Sequence, residues 1–210
     1  MTVRSSMPLD CVTGGESRLT IETGLPEPDT AMSIIERKGL GHPDTLADHL
    51  AEALSRAYAT YTLEAVGAVL HHNFDKLALL GGSSRVTYGG GTMLAPVRVL
   101  VNGRATRRCG DVVIPVDEII TDTVGRFFAD RLPHLEGHVR IELNVTSNSS
   151  PGAVHTGERT PERVSWFAPA SIDQLRERAV PLANDTSIGT GWAPFNDVEA
   201  FVTAVTDALS

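Results

Sequence analysis

The chain has 210 residues, 41% hydrophobic and 21% charged, enough for one good core or two small ones in an ordinary globular protein. Its net charge of -8 argues against nucleic acid as a general partner, because a phosphate backbone demands a basic face. No run approaches the roughly 18 apolar residues of a membrane span, and Met1 to Gly15 holds no apolar leader core, so the expectation is no membrane association and a cytoplasmic location. Cys11 and Cys109 lie far apart without metal-ligand spacing, which suits a reducing compartment. The sequons at Asn144, Asn148 and Asn184 then read as chance matches.

In chain order, residues 1–30 mix Pro, Gly, Ser and Thr with one strand-like run, Ser17 to Thr23, and read as an arm or edge hairpin. From Pro43 to about Glu64, Leu46, Leu50, Ala53, Leu54, Ala57, Tyr58 and Tyr61 keep the spacing of three and four of an amphipathic helix. Val66 to Leu70, Leu77 to Leu80, Pro96 to Val101 and Val112 to Ile114 read as strands. A second helix is predicted over Asp117 to Leu132, ending before Pro133, and Val139 to Val145 alternates as a strand. Thr146 to Gly152 is turn chemistry, and the charged, proline-rich stretch to about Ala170 reads as a loop or lid. The last helix spans about Asp197 to Leu209, capped by Asn196 with Glu199 three residues on, and Val198, Phe201, Val202 and Val205 form its stripe.

Three stretches carry candidate chemistry. In Glu36-Arg37-Lys38-Gly39-Leu40-Gly41-His42-Pro43-Asp44 the glycines permit close approach of a ligand, Pro43 suits the first helical position and His42 falls at the N-cap. Asp44 and Asp48 share one helix face, as do Asp48 and Glu52, and paired carboxylates favour a hard cation such as magnesium bound together with substrate phosphates. The same residues also fit a capped helix whose acids complement its dipole. In His71-His72-Asn73-Phe74-Asp75-Lys76, expected between two strands at a sheet edge, adjacent histidines would face opposite ways; Asp75 for a cation and Lys76 for phosphate are the better candidates. Asn184-Asp185-Thr186-Ser187 would on its own be a turn with an Asx cap.

Gly-His-Pro-Asp after Glu-Arg-Lys-Gly, His-His-Asn-x-Asp at this distance, Tyr88-Gly89-Gly90-Gly91 with Gly103-Arg104-Ala105, and Ala183-Asn184-Asp185-Thr186-Ser187 together resemble the S-adenosylmethionine synthetases, in particular their archaeal-type branch. The resemblance runs from Glu36 to about Glu199. It implies an α+β fold, with mixed or antiparallel sheets covered by helices on one face and a flat apolar sheet face used for association. It implies ATP and methionine as substrates, with magnesium and potassium as cofactors. His42 and Lys76 would be catalytic, Asp44 and Asp75 would bind metal, and Asn184, Asp185, Thr186 and Ser187 would line the methionine and adenosine pocket. Asn148, Ser149 and Ser150 would hold nucleotide where the family carries a Gly-x-Gly-Ser turn. Thr92 stands where the family commonly has an acid.

The chain is about half a family member, and the basic, glycine-rich segments that clasp the triphosphate in the family's second half have no counterpart in it. It carries 16 Arg and only two Lys, Lys38 and Lys76. The expected organisation is an arm over 1–30, an α+β unit over 31–145 bearing the Gly-His-Pro-Asp site, and part of a second unit over 146–210 completed by a partner chain. The expected role is one subunit of a hetero-oligomeric, two-component synthetase. A magnesium-dependent tripolyphosphate hydrolase and a non-catalytic scaffold or regulatory homologue are the competing readings.

Overall fold

Side chains four residues apart make the first helix and attach it to the sheet. In α1, Pro43–Val66, the residues Leu46, Leu50, Leu54, Tyr58 and Thr62 are all buried. Full burial of a leucine such as Leu50 or Leu54 stabilises the fold by roughly 1.5–3 kcal/mol. The buried Tyr58 hydroxyl donates to the Thr106 carbonyl at 2.7 Å, and burial pushes its phenol pKa far up. At the far end Gly67, with φ 77°, closes the helix and donates its N–H to Leu63. The computed structural model describes residues 7–14, 17–23, 32–147, 168–176 and 193–209.

β1, Met7–Gly14, and β2, Ser17–Thr23, form an antiparallel hairpin, as the strand-like run predicts. The central sheet comprises β3 (His72–Leu80), β6 (Val97–Ala105) and β9 (Val139–Thr146), in the order β3-β6-β9. β3 runs antiparallel to β6, and β9 parallel to it. The parallel pair needs a crossover, which α2, Val116–Arg131, supplies. α1 and α2 pack on each other and on one sheet face, where Val99 and Val101 meet Ile120, Val124 and Phe128 in one core. This is the α+β layering expected. β4 (Ser83–Thr87) and β5 (Gly90–Ala95) form a solvent-exposed hairpin, β7 (Arg108–Cys109) pairs with β8 (Val112–Val113), and α3 (Ile172–Arg176) and α4 (Asp197–Leu209) follow.

Three expectations are corrected. Val66 to Leu70 is not a strand: the helix continues to Val66, and the following turn folds back so that the Leu70 N–H bonds the Thr62 hydroxyl and its side chain is buried. His71 to Lys76 is therefore not a connection between strands. His72 to Lys76 open β3, an edge strand among the described residues, and just before it both the N–H and the hydroxyl of Thr106 donate to the His71 carbonyl. The open sheet face is not apolar. Leu80 and Leu100 share it with Arg98, Arg140 and Glu142, and Asn102 bonds Asn144 at 2.7 Å. Arg98 grips Glu142 with two hydrogen bonds of 2.8 and 2.9 Å, which hold the Glu142 carboxyl below its usual range.

β3 carries a bulge between Asn73 and Lys76. The Asn73 side chain accepts the Asp75 N–H at 2.9 Å, an Asx turn that turns Asp75 and Lys76 outward while Phe74 stays buried. Opposite the bulge lies Gly103, where any Cβ would overlap the Asn73 carbonyl oxygen. Gly103→Ala is therefore expected to destabilise the protein by about 1–3 kcal/mol in urea unfolding, because the bulge must move.

His72 lies on the inner face against Tyr58, with ring centroids 4.6 Å apart. Its Nδ1–H donates to the Leu70 carbonyl and its Nε2 accepts from the Ser55 hydroxyl, each at 2.8 Å. Both contacts suit a neutral ring, and burial lowers its pKa despite the Leu70 hydrogen bond. The unfolded chain thus binds the proton more tightly than the folded one. Stability contributed here is full above about pH 6.5 and is lost as pH falls toward the folded pKa. Urea midpoints at pH 7.5 and 5.5 should show a smaller acid-induced loss in His72→Gln than in the parent chain.

Candidate functional site

The approach to α1 is a tight turn, in which the His42 N–H donates to the Gly39 carbonyl at 3.0 Å. His42 then takes extended dihedrals, φ -65° and ψ 135°, and Pro43 starts the helix without a wasted N–H. The His42 Nδ1 accepts the Asp44 N–H at 3.1 Å, so the ring itself is the N-cap. An accepting Nδ1 carries no proton, which puts the ring hydrogen of neutral His42 on Nε2. The helix end therefore presents a directed N–H donor beside its own positive dipole.

Lys38 reaches across this turn and bonds the Asp44 carboxylate through its ammonium. The pairing raises the Lys38 pKa and lowers that of Asp44, in each case chiefly through the shared hydrogen bond. Both side chains are solvent-exposed, so the pair contributes little to stability and can exchange partners readily. In the β3 bulge the second lysine, Lys76, bonds Asp75 at 2.7 Å. Each candidate metal carboxylate is thus neutralised by one of the chain's two lysines.

His42, Asp44 and Lys38 form one group, and Asp75 with Lys76 a second; among the described residues no hydrogen bond or ion pair joins them. No set of three or more His, Cys, Asp or Glu side chains converges as a metal cage among the described residues. Asn148, Ser149, Ser150, Asn184, Asp185, Thr186 and Ser187 lie outside the described residues. Lys38 escaped the site prediction although it stands in the motif; its spacing of six residues from Asp44 spans a turn, where neither helix nor strand periodicity applies. Asn73 escaped too, its signal being an Asn two residues before an exposed Asp.

Arg37 faces away from this group. It donates to Thr203 at 3.0 Å and Asp207 at 3.2 Å, fixing α4 beside the segment that leads into the turn. Ile35, Glu36, Phe195, Glu199 and Val202 line a cleft of about 320 Å³ between them. Asn196 and Glu199 form the predicted reciprocal cap of α4, with bonds of 2.8 and 2.9 Å.

No helix among the described residues is long and apolar enough to cross a membrane. Residues 20–210 match the sequence family described as S-adenosylmethionine synthetase (AdoMet synthetase). The S-adenosylmethionine synthase of Methanothrix thermoacetophila is 38% identical over 185 residues, which make up 86% of this chain and 41% of that protein. That of Caldivirga maquilingensis is 36% identical over 183 residues, 84% of this chain and 41% of the relative. A probable S-adenosylmethionine synthase of Aquifex aeolicus is 36% identical over 171 residues, 80% and 39% of the two chains. The chain spans about two-fifths of the length of these curated relatives. With a family match over residues 20–210 and relatives 36–38% identical over most of its length, the chain belongs to the S-adenosylmethionine synthetase family.

Proposed function

We propose that this chain is one subunit of a two-component S-adenosylmethionine synthetase, using ATP and methionine at a site completed by a second polypeptide in a hetero-oligomer. The observation that carries this reading is the His42 ring, locked by its Nδ1 contact with the Asp44 N–H so that Nε2–H points away from the helix end. Such a donor suits charge that develops on an oxygen as it leaves carbon.

The reaction is a substitution at carbon. The methionine sulfur attacks C5' of ATP, the S–C5' bond forms as the C5'–O bond breaks, and the electron pair goes to the triphosphate oxygen. His42 Nε2–H donates to that oxygen. Water then hydrolyses the triphosphate to phosphate and pyrophosphate. No covalent enzyme nucleophile is required, and the buried Cys109, its thiol pKa raised by burial, is suited to none. The protein's work is alignment and charge stabilisation.

Magnesium fits the donors present: two exposed carboxylates, with no closed cage among the described residues, suit an ion that keeps water and takes its other ligands from phosphate. When bound, it would neutralise the triphosphate. Asp44 and Asp75 would hold it, and Lys38 and Lys76, released from those carboxylates, would turn to the phosphate oxygens. Asp185 would orient methionine or adenosine.

The test is S-adenosylmethionine formation from ATP, methionine and magnesium. The chain is assayed alone and co-expressed with the portion of the Methanothrix thermoacetophila synthase outside its matched region. Activity only in the co-expressed complex is the expected result; an active chain alone, or an inactive complex, would defeat the two-component reading. Within that complex His42→Asn keeps a good helix cap but loses the Nε2 donor, so turnover should fall about 10²–10³-fold at unchanged melting temperature. His42→Ala should lose both the rate and about 1 kcal/mol of stability.

A further inference from the structure

Helix α4 uses two different faces. Glu199, Val202, Thr203 and Asp207 turn toward the 35–37 segment, through the cleft and the Arg37 bonds. About a third of a turn away, Val198, Phe201, Val205 and Leu209 form a second row, three and four residues apart, and are 41% to 84% exposed. None of the residues of α4 is buried.

A helix of 13 residues is marginal in water, where helical stability comes mainly from packing an amphipathic face. Among the described residues α4 is held by Arg37 and by one side of a cleft that Phe195, itself 52% exposed, leaves partly open. The apolar row is continuous, its helix has no basic residue, and Asp197 flanks the row, whereas Glu199 and Asp207 belong to the other face, where Asp207 is bonded to Arg37. A surface that covers it should be apolar at the centre with a basic rim. About three-fifths of the relatives' length has no counterpart in this chain, enough for a polypeptide that covers this face. A net charge of -8 favours a basic partner over a second copy of the same acidic chain.

We infer that the Val198, Phe201, Val205 and Leu209 face of α4 is the docking surface for the polypeptide that supplies the rest of the family fold, which seats an apolar anchor beside Phe195 in the adjoining cleft. This rests on the two-component reading and adds to it the surface through which the components meet. Arg37 then has a double position, one residue from Lys38 of the candidate site and bonded to the docking helix.

The test uses the full chain co-expressed with the portion of the Methanothrix thermoacetophila synthase outside its matched region. Complex mass is read by analytical ultracentrifugation and affinity by titration. Phe201→Asp and Val205→Asp should each weaken the complex at least ~30-fold, the scale of an interface hot spot. Ala129→Asp, on the exposed side of α2, should leave it unchanged, and circular dichroism should report a folded chain for all three. A wild-type complex whose affinity the α4 variants do not alter would overturn the inference and leave the synthetase reading standing. A complex lost with the α4 variants but inactive in S-adenosylmethionine formation would support the surface and defeat the synthetase. A homodimer of this chain that Phe201→Asp dissociates would overturn the inference, as would the absence of any wild-type complex.

Discussion

The row Leu46, Leu50, Leu54, Tyr58 and Thr62 holds α1 against the sheet, and the candidate site inherits its position from that attachment. One end of the helix carries His42 and Asp44. Near the other, Tyr58 bonds the carbonyl of Thr106 just beyond β6, and Thr62 bonds the N–H of Leu70 just before β3. Ser55 adds a bond to His72 within β3. A 24-residue helix is a rod about 36 Å long, so its burial against β3 and the core fixes its exposed N-terminus at a distance. The turn that carries the candidate site needs no buried side chains of its own.

That economy explains why the candidate chemistry is displayed on exposed ion pairs. A carboxylate left alone beside the positive end of α1 would attract any cation. With Lys38 on Asp44 and Lys76 on Asp75, each carboxylate already holds a cation, and displacing it would take a ligand that brings both signs of charge. Under the proposed function a metal-bound polyphosphate would do so. Neither pair is buried, so exchanging partners incurs little of the desolvation penalty that locks an interior salt bridge in place.

Much of this architecture is legible in the sequence, and the failures have identifiable causes. β2 spans the run read as its strand, and α4 starts where Asn196 and Glu199 announce a capping box, because both signals are local. The His42 cap is readable from its place before Pro43. Val66 to Leu70 misleads because an apolar run looks the same whether it is paired in a sheet or folded back onto a helix; only the tertiary contact of Leu70 with Thr62 separates the two. The β4–β5 hairpin escapes notice because Tyr88-Gly89-Gly90-Gly91 reads as loop, although Gly89, with φ 79°, supplies a tight turn between strands. In the site, motif order locates His42 and Asp44, while the lysine pairing follows from chain reversal and has no periodic signature.

The scarcity of lysine has a consequence for chemical labelling. Arginine carries the rest of the positive side-chain charge, at the sheet in Arg98 and at α4 in Arg37, so the only side-chain amines in the chain are the two that sit on candidate site carboxylates. An amine-directed reagent, which spares guanidinium groups, can modify the terminal amine and otherwise only these two places. Asp44 holds the Lys38 ammonium protonated to higher pH, and so slows its acylation until something draws that carboxylate away. The rate at which Lys38 is acylated therefore reports whether Asp44 is occupied, with no substitution in the sequence.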